Sequence, residues 1–247
     1  MKSEIRLTED GSHTLYVKEI DESYHSSHGA VQESSQIFIT NGLKAFVAAY
    51  RQVIGDDSRK ETVVKVLEIG FGTGLNAYLT LLEATRMKIP VHYTSLELYP
   101  LVLEEAFLLN YPEILCADRE LFEAIHLISW DEMQPVSTYF SLQKIKADFT
   151  DYMLQDFYDV VFFDAFSPEK QPEMWAEKGF CDLFDHCNEN AIITSYCAKG
   201  AVRRMMQSAG FVVERLPGPP GKREVLRGKR VHIPLNGCVV RSMTFAN

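Results

Sequence analysis

An acid and a stiff loop stand at the end of an apolar run. Residues 159–163 (DVVFF) are typical of a buried strand, and Asp164 follows them directly. The loop FSPEKQPEMW comes next, with Pro168 and Pro172 in it. Asp164 could cap a helix, but ligands collect at the carboxyl ends of strands in open α/β sheets. We therefore favour a functional role for Asp164.

A glycine loop is the second candidate site. The apolar run VVKVLEI leads into Gly70-Phe71-Gly72-Thr73-Gly74, and a helix is expected to begin near Asn76. Glycines permit a tight turn and a close approach of the backbone to a ligand. The dinucleotide pattern GxGxxG needs glycine where Leu75 stands, and the GK[ST] ending of a phosphate-binding P-loop is absent. Glu68, just before the loop, suits a ligand with an ammonium group. S-adenosylmethionine is such a ligand, with a sulfonium and no phosphate.

Two further acids fit a nucleoside at the same edge. Glu97 ends the next apolar run, where a carboxylate can accept both ribose hydroxyls. Asp148 follows a third predicted strand and could accept a hydrogen bond from an adenine amine, or cap a helix, or do both. We predict that S-adenosylmethionine is bound by Glu97, Asp148, Asp164 and the loop residues Glu68, Gly70, Phe71, Gly72, Thr73, Gly74 and Asn76.

The elements that would position these residues alternate along the chain. Apolar runs at 63–70, 91–98, 158–165, 190–196 and 211–216 are separated by helical patterns at 76–86, 101–110, 174–187 and 201–210. Such alternation predicts a doubly wound, mostly parallel α/β sheet. Residues 225–235 are expected to form one more strand, paired antiparallel at an edge. We expect a β-hairpin and an extension over 1–60, packed on a Rossmann-like domain over 61–247. The extension is expected to be irregular over 24–43 and then helical through Phe46 and Tyr50.

Composition limits the function classes. The net charge of −9 argues against non-specific nucleic-acid binding, yet the chain from Lys199 onward carries ten basic residues against two glutamates. Chance clustering on a solvated face could also produce this. The five cysteines and seven histidines lack ligand spacing, so we expect no metal and a cytoplasmic protein with reduced thiols. No apolar run has the length of a membrane span.

Four stretches together resemble a known family. GFGTGLN, DAFSPEKQPEMW, TSYCAKGAVRRMMQSAGF and GKRE are similar to the methyltransferase half of the MnmC tRNA-modification enzymes. SSHGAVQES and IFITNGL resemble the region ahead of that family's Rossmann core. The resemblance implies a class I S-adenosylmethionine-dependent methyltransferase. It also implies methylation of 5-aminomethyl-(2-thio)uridine at the tRNA wobble position, giving 5-methylaminomethyl-(2-thio)uridine.

The resemblance also implies roles for individual residues. Asp164 would orient the substrate amine and accept its hydrogen bond or its proton, and Tyr196 would help to align it. Contacts to the base or to tRNA phosphates are expected from Phe166, Lys170, Trp175, Lys199, Arg203, Arg204, Lys222 and Arg223. Core packing is the alternative for Trp175, and a solvated helix face for the arginines. The 247 residues leave no room for the family's flavin oxidase domain, so a separate enzyme would supply the aminomethyl substrate.

Three other functions remain open. An aminopropyltransferase of the spermidine-synthase type has the same sheet and a strand-end aspartate that activates an amine, and an acidic body suits a polyamine. A small-molecule N-methyltransferase fits the same residues. A non-catalytic nucleoside-binding or partner-binding module would not need Asp164 and Glu97.

Overall fold

A small sheet begins the chain in this computed structural model, which describes residues 3–54 and 63–231. Its three antiparallel strands are β1 (Ser3–Leu7), β2 (His13–Val17) and β3 (Glu22–Ser23). The predicted hairpin turn joins the first two, with the Thr8 amide donating to the Ser12 carbonyl at 2.9 Å. Asp10 stabilises the turn by accepting hydrogen bonds from the Thr8 hydroxyl and the Ser12 amide.

A long helical segment follows, where the sequence suggested irregular structure. It consists of α1 (Ala30–Ser34), a π-helical stretch (Ser35–Lys44) and α2 (Ala45–Ile54). The expectation of an irregular stretch is therefore wrong from Ala30 to Leu43, whereas the helix expected through Phe46 and Tyr50 is confirmed by α2. The polar residues of this segment concealed its helical character, although apolar side chains such as Ile37, Phe38 and Leu43 are buried in the core. At Gly42 an added Cβ would lie 2.9 Å from the Phe162 ring, so glycine permits the close approach to the central sheet.

The central sheet has eight strands in the order β10-β11-β9-β8-β4-β5-β7-β6. They are β4 (Val64–Ile69), β5 (Val91–Leu96), β6 (Gln134–Ser137), β7 (Phe140–Ile145), β8 (Tyr158–Phe163), β9 (Cys187–Ser195), β10 (Val212–Pro217) and β11 (Glu224–Lys229). The five strands from β9 to β7 are parallel. The predicted doubly wound fold class is confirmed.

The helices connect these strands. They are α3 (Leu75–Met87), α4 (Leu103–Ala106), α5 (Tyr111–Leu115), α6 (Arg119–Leu127), α7 (Glu177–Asp185) and α8 (Gly200–Ala209), with a 3₁₀ turn at Pro172–Trp175. From β4 the chain moves to β5 and β7 on one side, and later to β8 and β9 on the other. The carboxyl ends of β4 and β8 therefore form the topological switch point, where open α/β sheets bind ligands.

Two predictions near the sheet need correction. The helix expected over 101–110 is reduced to α4, a single turn. The last strand, β11, is antiparallel as expected, but it lies between β9 and β10 rather than at an edge. Residues 232–235 of that prediction lie outside the described part of the chain, as does the predicted domain boundary at 60/61.

Two apolar clusters cover the two faces of the sheet. One joins the helical segment and α3 to the β4 face that carries Val66. The other packs α7 and α8 against the opposite face, with Leu67 and Ile69. This alternation along β4 decides where Glu68 points, because a residue and its second neighbour share a face of a strand.

Candidate functional site

A cavity of about 650 Å³ lies at the switch point, within the size range of small-molecule sites. Its floor is formed by the residues that follow β4, β5, β7 and β8. Its outer wall comes from residues 22–28 and from Glu33, all from the N-terminal part of the chain.

The glycine loop approaches its neighbours closely. Gly70 and Gly72 have φ angles of +96° and +51°. An added Cβ at Gly70 would lie 2.8 Å from the Asp164 carbonyl oxygen, and one at Gly72 would lie 2.8 Å from the Tyr24 ring. Side chains at either position would be strained and would clash, which explains the glycines. Phe71, Thr73 and Asn76 line the same cavity, whereas Gly74 faces His126 and is not among the lining residues. Cofactor binding by the loop stays a prediction.

Glu97 holds the glycine loop to the next strand. Its Oε2 accepts a hydrogen bond from the Gly72 amide at 2.9 Å, and its Oε1 accepts one from the Tyr99 amide at 2.8 Å. Each carboxylate oxygen can accept a second bond, so both stay available to ligand hydroxyls. Burial raises the pKa of the Glu97 carboxyl, against the effect of these backbone donors.

Asp148 lies at the end of β7 and lines the cavity with Ala147 and Phe149. Its Oδ1 accepts hydrogen bonds from the Thr150 amide at 2.8 Å and from the Thr150 hydroxyl at 2.7 Å. The residues that follow form a turn rather than a helix, so Asp148 is not the helix cap that was considered. Its role towards adenine stays a prediction.

Glu68 is not on the cavity wall. Its side chain is fully buried on the α3 face of β4, where its Oε2 accepts from the Ser95 hydroxyl at 2.7 Å. Burial raises the pKa of this carboxyl well above its usual range. The prediction that Glu68 meets a ligand ammonium is therefore corrected, because the pleat of the strand turns Glu68 inward and Ile69 towards the cavity.

Asp164 lies on the cavity floor beside the glycine loop. Its amide donates to the Ile69 carbonyl at 3.0 Å, and its Oδ2 accepts from Asn76 Nδ2 at 2.8 Å. Burial raises the pKa of Asp164 to about 7, and the negative charge of Glu33 adds to the effect. A carboxyl with this pKa can exchange a proton at neutral pH, which is the property of a general base.

The loop after Asp164 is held by three separate contacts. Tyr196 donates its hydroxyl to the Ala165 carbonyl at 2.9 Å, and Trp175 Nε1 donates to the Phe166 carbonyl at 2.7 Å. The Ser167 hydroxyl donates to Glu22 Oε2 at 2.9 Å. The loop is thus fixed on both sides, and Phe166 lines the cavity, as predicted.

These contacts bear on the roles predicted for Trp175 and Tyr196. Trp175 is 2% exposed and packs against Phe163, so it belongs to the core and does not wall the pocket. Tyr196 lines the cavity through its ring, but its hydroxyl is occupied by the backbone and burial raises its pKa. Tyr196 therefore positions the loop, and its part in aligning the substrate amine stays a prediction.

The predicted basic set is divided by the structure. Lys222 lies in the cavity wall, with Nζ 3.2 Å from Glu33 Oε1, whereas Arg223 is exposed. Lys170 pairs with Asp21, and Lys199 pairs with Glu169. The expectation that Lys222 contacts phosphate with Arg223 is corrected, because the two side chains occupy different environments.

Arg203 and Arg204 lie on the first turns of α8, and Arg204 is exposed while Arg203 is half-buried. Within residues 3–54 and 63–231, neither forms an ion pair. They and Arg223 remain the predicted phosphate contacts. Much of the basic character near the C-terminus is used internally, since Arg215 pairs with Glu224 and Lys229 with Glu214.

The outer wall of the cavity, residues 22–28 and Glu33, was not predicted from the sequence. Tyr24 packs on Phe166 with ring centroids 5.0 Å apart, and His25 stacks edge-on against Tyr111. Burial lowers the pKa of His25 to about 4, so this histidine is neutral at physiological pH. The signal was the likeness of SSHGAVQES to the region ahead of the family's core, which marked this segment without assigning roles.

Within residues 3–54 and 63–231, no group of three or more His, Cys, Asp or Glu residues is arranged to hold a metal ion. No helix in that part of the chain combines the length and the apolar character that crossing a bilayer requires.

The comparisons with known proteins agree with this geometry. Residues 132–231 match the family described as S-adenosyl-L-methionine-dependent methyltransferase. The chain is 28% identical over 227 residues to the tRNA 5-methylaminomethyl-2-thiouridine biosynthesis bifunctional protein MnmC of Leptospira borgpetersenii, covering 87% of this chain and 33% of that protein. Identity to the protein of the same name from Pseudomonas fluorescens is 30%, over 85% of this chain and 32% of the relative. The chain thus spans about a third of the length of the curated relatives it matches.

Solved structures extend the comparison. MNMC2 from Aquifex aeolicus matches 94% of this chain and 72% of its own, with 27% identity and a TM-score of 0.72. Spermidine synthase from Thermotoga maritima matches 95% of this chain and 74% of its own, with 13% identity and a TM-score of 0.54, which shows a shared fold only. The predicted resemblance to MnmC proteins is confirmed.

Proposed function

We propose that this chain, a relative of the MnmC proteins with the class I methyltransferase fold, methylates an amine of tRNA. The substrate would be 5-aminomethyl-(2-thio)uridine at the wobble position, and the product 5-methylaminomethyl-(2-thio)uridine. The observation that carries the proposal is Asp164, a cavity-floor carboxyl with a pKa of about 7 beside the glycine loop. MnmC relatives of this chain are named for the same modified nucleoside.

S-adenosylmethionine is the cofactor, as predicted, and the matched family agrees. When bound, it supplies an electrophilic methyl group on a sulfonium. The residues fit such a ligand. Glu97 keeps acceptor capacity for ribose hydroxyls, Asp148 and Phe149 also line the cavity, and the loop from Gly70 to Thr73 gives close backbone approach.

The chain's own residues would prepare the amine. A primary amine is mostly protonated at neutral pH, and only its free lone pair can attack. Asp164 would take one N–H proton onto a carboxylate oxygen, leaving the lone pair on nitrogen. Asn76 holds the acid in place through Oδ2, so the amine would meet Oδ1. His25 is a poorer candidate base, because its pKa of about 4 is far from neutral pH.

Positioning is the second contribution. In-line transfer needs the nucleophile aligned within the cavity, and fixed geometry can supply much of the rate. The loop 165–167 is held by Tyr196, Trp175 and Glu22, which keeps Phe166 at the cavity wall for an incoming base. Arg203, Arg204 and Arg223 would contact tRNA phosphates. A separate enzyme would supply the aminomethyl nucleoside, and a tRNA substrate would locate the reaction in the cytoplasm.

The test is incubation with labelled S-adenosylmethionine and tRNA that carries 5-aminomethyluridine at the wobble position, followed by nucleoside analysis. Label in 5-methylaminomethyluridine is expected, and tRNA with unmodified uridine should acquire none. Absence of label from the wobble nucleoside would contradict the proposal.

An aminopropyltransferase is the alternative function that needs a separate experiment, because acidic side chains in the cavity would suit a polyamine. Six such side chains line it: Glu22, Glu33, Glu97, Asp148, Asp164 and Glu173. An aminopropyltransferase would bind decarboxylated S-adenosylmethionine more tightly than the carboxylated form. We expect the opposite order in calorimetry. Transfer of label to a free amine, but not to tRNA, would favour a small-molecule N-methyltransferase.

A further inference from the structure

A second carboxylate shares the cavity with Asp164. Glu33 lies on α1, far from Asp164 in sequence, and is only 7% exposed. It lines the cavity, and its charge is among the causes that raise the pKa of Asp164. The two acids therefore line one cavity, close enough for the charge of Glu33 to affect Asp164.

The side-chain ammonium of Lys222 already forms an ion pair with the Glu33 carboxylate. Lys222 Nζ is 3.2 Å from Glu33 Oε1 and 4.7 Å from the centroid of the Tyr196 ring. A carboxylate on one side and an aromatic face on the other form a favourable environment for an alkylammonium. The positive charge of Lys222 also lowers the pKa of Asp164, so this ammonium lies within electrostatic reach of the acid.

We propose that Glu33 is a substrate-binding residue whose carboxylate accepts the substrate amine in the position that the Lys222 ammonium holds. This inference rests on the proposed function, since it concerns the amine to be methylated. The aminomethyl group would enter as an ammonium between Glu33 and the Tyr196 ring and displace Lys222. Asp164 would then remove one proton, and the neutral amine would keep an N–H donor for Glu33.

This arrangement divides the work between the two acids. The N–H bond that breaks delivers its proton to an Asp164 oxygen, and its electron pair stays on nitrogen for the attack. Glu33 accepts the remaining N–H and so fixes the direction of the lone pair. Asp164 alone could not do both, because after it takes the proton it can only weakly accept the remaining N–H.

A purely structural role is the competing explanation for Glu33. Its Oε2 accepts the Ser26 amide at 2.8 Å and so helps to hold the segment 22–28. Loss of activity in a variant would therefore not decide the matter. The decisive quantity is the preference for an amine over a neutral substituent at the same position, which a structural role would leave unchanged.

The experiment uses two anticodon stem-loop RNAs that differ only at the wobble base, 5-aminomethyluridine in one and 5-methyluridine in the other. Dissociation constants are measured with S-adenosylhomocysteine present, so that no methyl transfer occurs. Wild-type protein should bind the amine RNA about tenfold or more tightly, as expected for a charge-assisted hydrogen bond. Glu33→Gln should reduce this ratio to about 1–2 and leave the affinity for the 5-methyluridine RNA unchanged.

Two further variants complete the test. Glu120→Gln makes the same change on an exposed residue of α6 and should keep the wild-type ratio. Lys222→Met removes the competing ammonium and should increase the ratio by about threefold or more. Opposite shifts in Glu33→Gln and Lys222→Met are the signature of competition for one carboxylate.

Three results would overturn the inference: an unchanged ratio in Glu33→Gln, equal losses for both RNAs in that variant, or no amine preference in wild-type protein. Failure of the proposed function is distinguished by the nucleoside assay. If wild-type protein labels the wobble nucleoside while Glu33→Gln keeps its amine preference, only the role of Glu33 is wrong.

Discussion

The two halves of the cavity are built in different ways. On the proposed cofactor side, Glu97 is held by the backbone amides of Gly72 and Tyr99, and the loop follows directly from β4. On the proposed amine side, Asp164 is held by a side chain, and Glu33 is paired with Lys222. Backbone amides hold the Glu97 carboxylate in a fixed position. Side-chain partners leave Asp164 and Glu33 able to exchange one hydrogen-bond partner for another.

The largest expected effect lies on the amine side. Asp164→Asn should lower the rate of methyl transfer by about 10²–10⁴-fold, the usual contribution of a general base. The amide can still accept from Asn76, so S-adenosylmethionine affinity should stay within about threefold. Single-turnover rates and calorimetry measure the two quantities. Asp151→Asn, on an exposed turn, is the matched control, and near-normal transfer by Asp164→Asn would remove this acid from the chemistry.

Ionisation of Asp164 should also lower the free energy of unfolding of the ligand-free protein. The unfolded carboxyl ionises near pH 3.8, but the folded one resists ionisation until about pH 7. The free energy of unfolding therefore falls as the pH rises between these values. Asp164→Asn removes this dependence and should be more stable than wild type at pH 8, by up to about 4 kcal/mol.

Urea unfolding at pH 5 and pH 8 tests this difference. The stabilisation should be larger at pH 8 than at pH 5, and Asp151→Asn should show no such trend. A variant that is destabilised equally at both pH values would show that the Asp164 carboxyl is not strained by burial.

The cofactor side should respond in the opposite sense. Glu97→Gln places an amide NH₂ against one of two backbone N–H donors and loses the charge. S-adenosylmethionine should bind about 10–100-fold more weakly, while transfer at saturating cofactor stays within a few-fold. Glu104→Gln, exposed on α4, controls for net charge. If Glu97→Gln lowered the rate at saturating S-adenosylmethionine as much as it lowered the affinity, the two halves of the cavity would not have separate functions.

The smallest effect is expected outside the cavity. The double reversal Arg204→Glu and Arg223→Glu should weaken tRNA binding about 3–30-fold at low salt, with a shallower salt dependence. Cofactor affinity should not change. Lys178→Glu on α7 is the control for charge reversal. Identical salt slopes for the variant and wild-type protein would exclude these arginines as phosphate contacts.

The same division explains how far the sequence led. The sheet, the glycine loop and the position of Glu97 could be predicted from the sequence. Each depends on neighbouring residues and on apolar runs that indicate strands. Glu33 and Lys222 could not, because they meet Asp164 only through contacts between distant segments. Trp175 and Glu68 were placed wrongly for a related reason. Sequence shows that a residue ends or follows a strand, but packing decides which way its side chain turns.

The role of Asp164 as proton acceptor is the central claim, and the pH dependence of single-turnover methyl transfer tests it most directly. Wild-type protein with saturating S-adenosylmethionine and 5-aminomethyluridine tRNA should show a rate that rises with pH and then levels off once Asp164 is ionised. Asp164→Asn should be slow and should lack this limb. Two profiles of the same shape, differing at most in height, would contradict the claim.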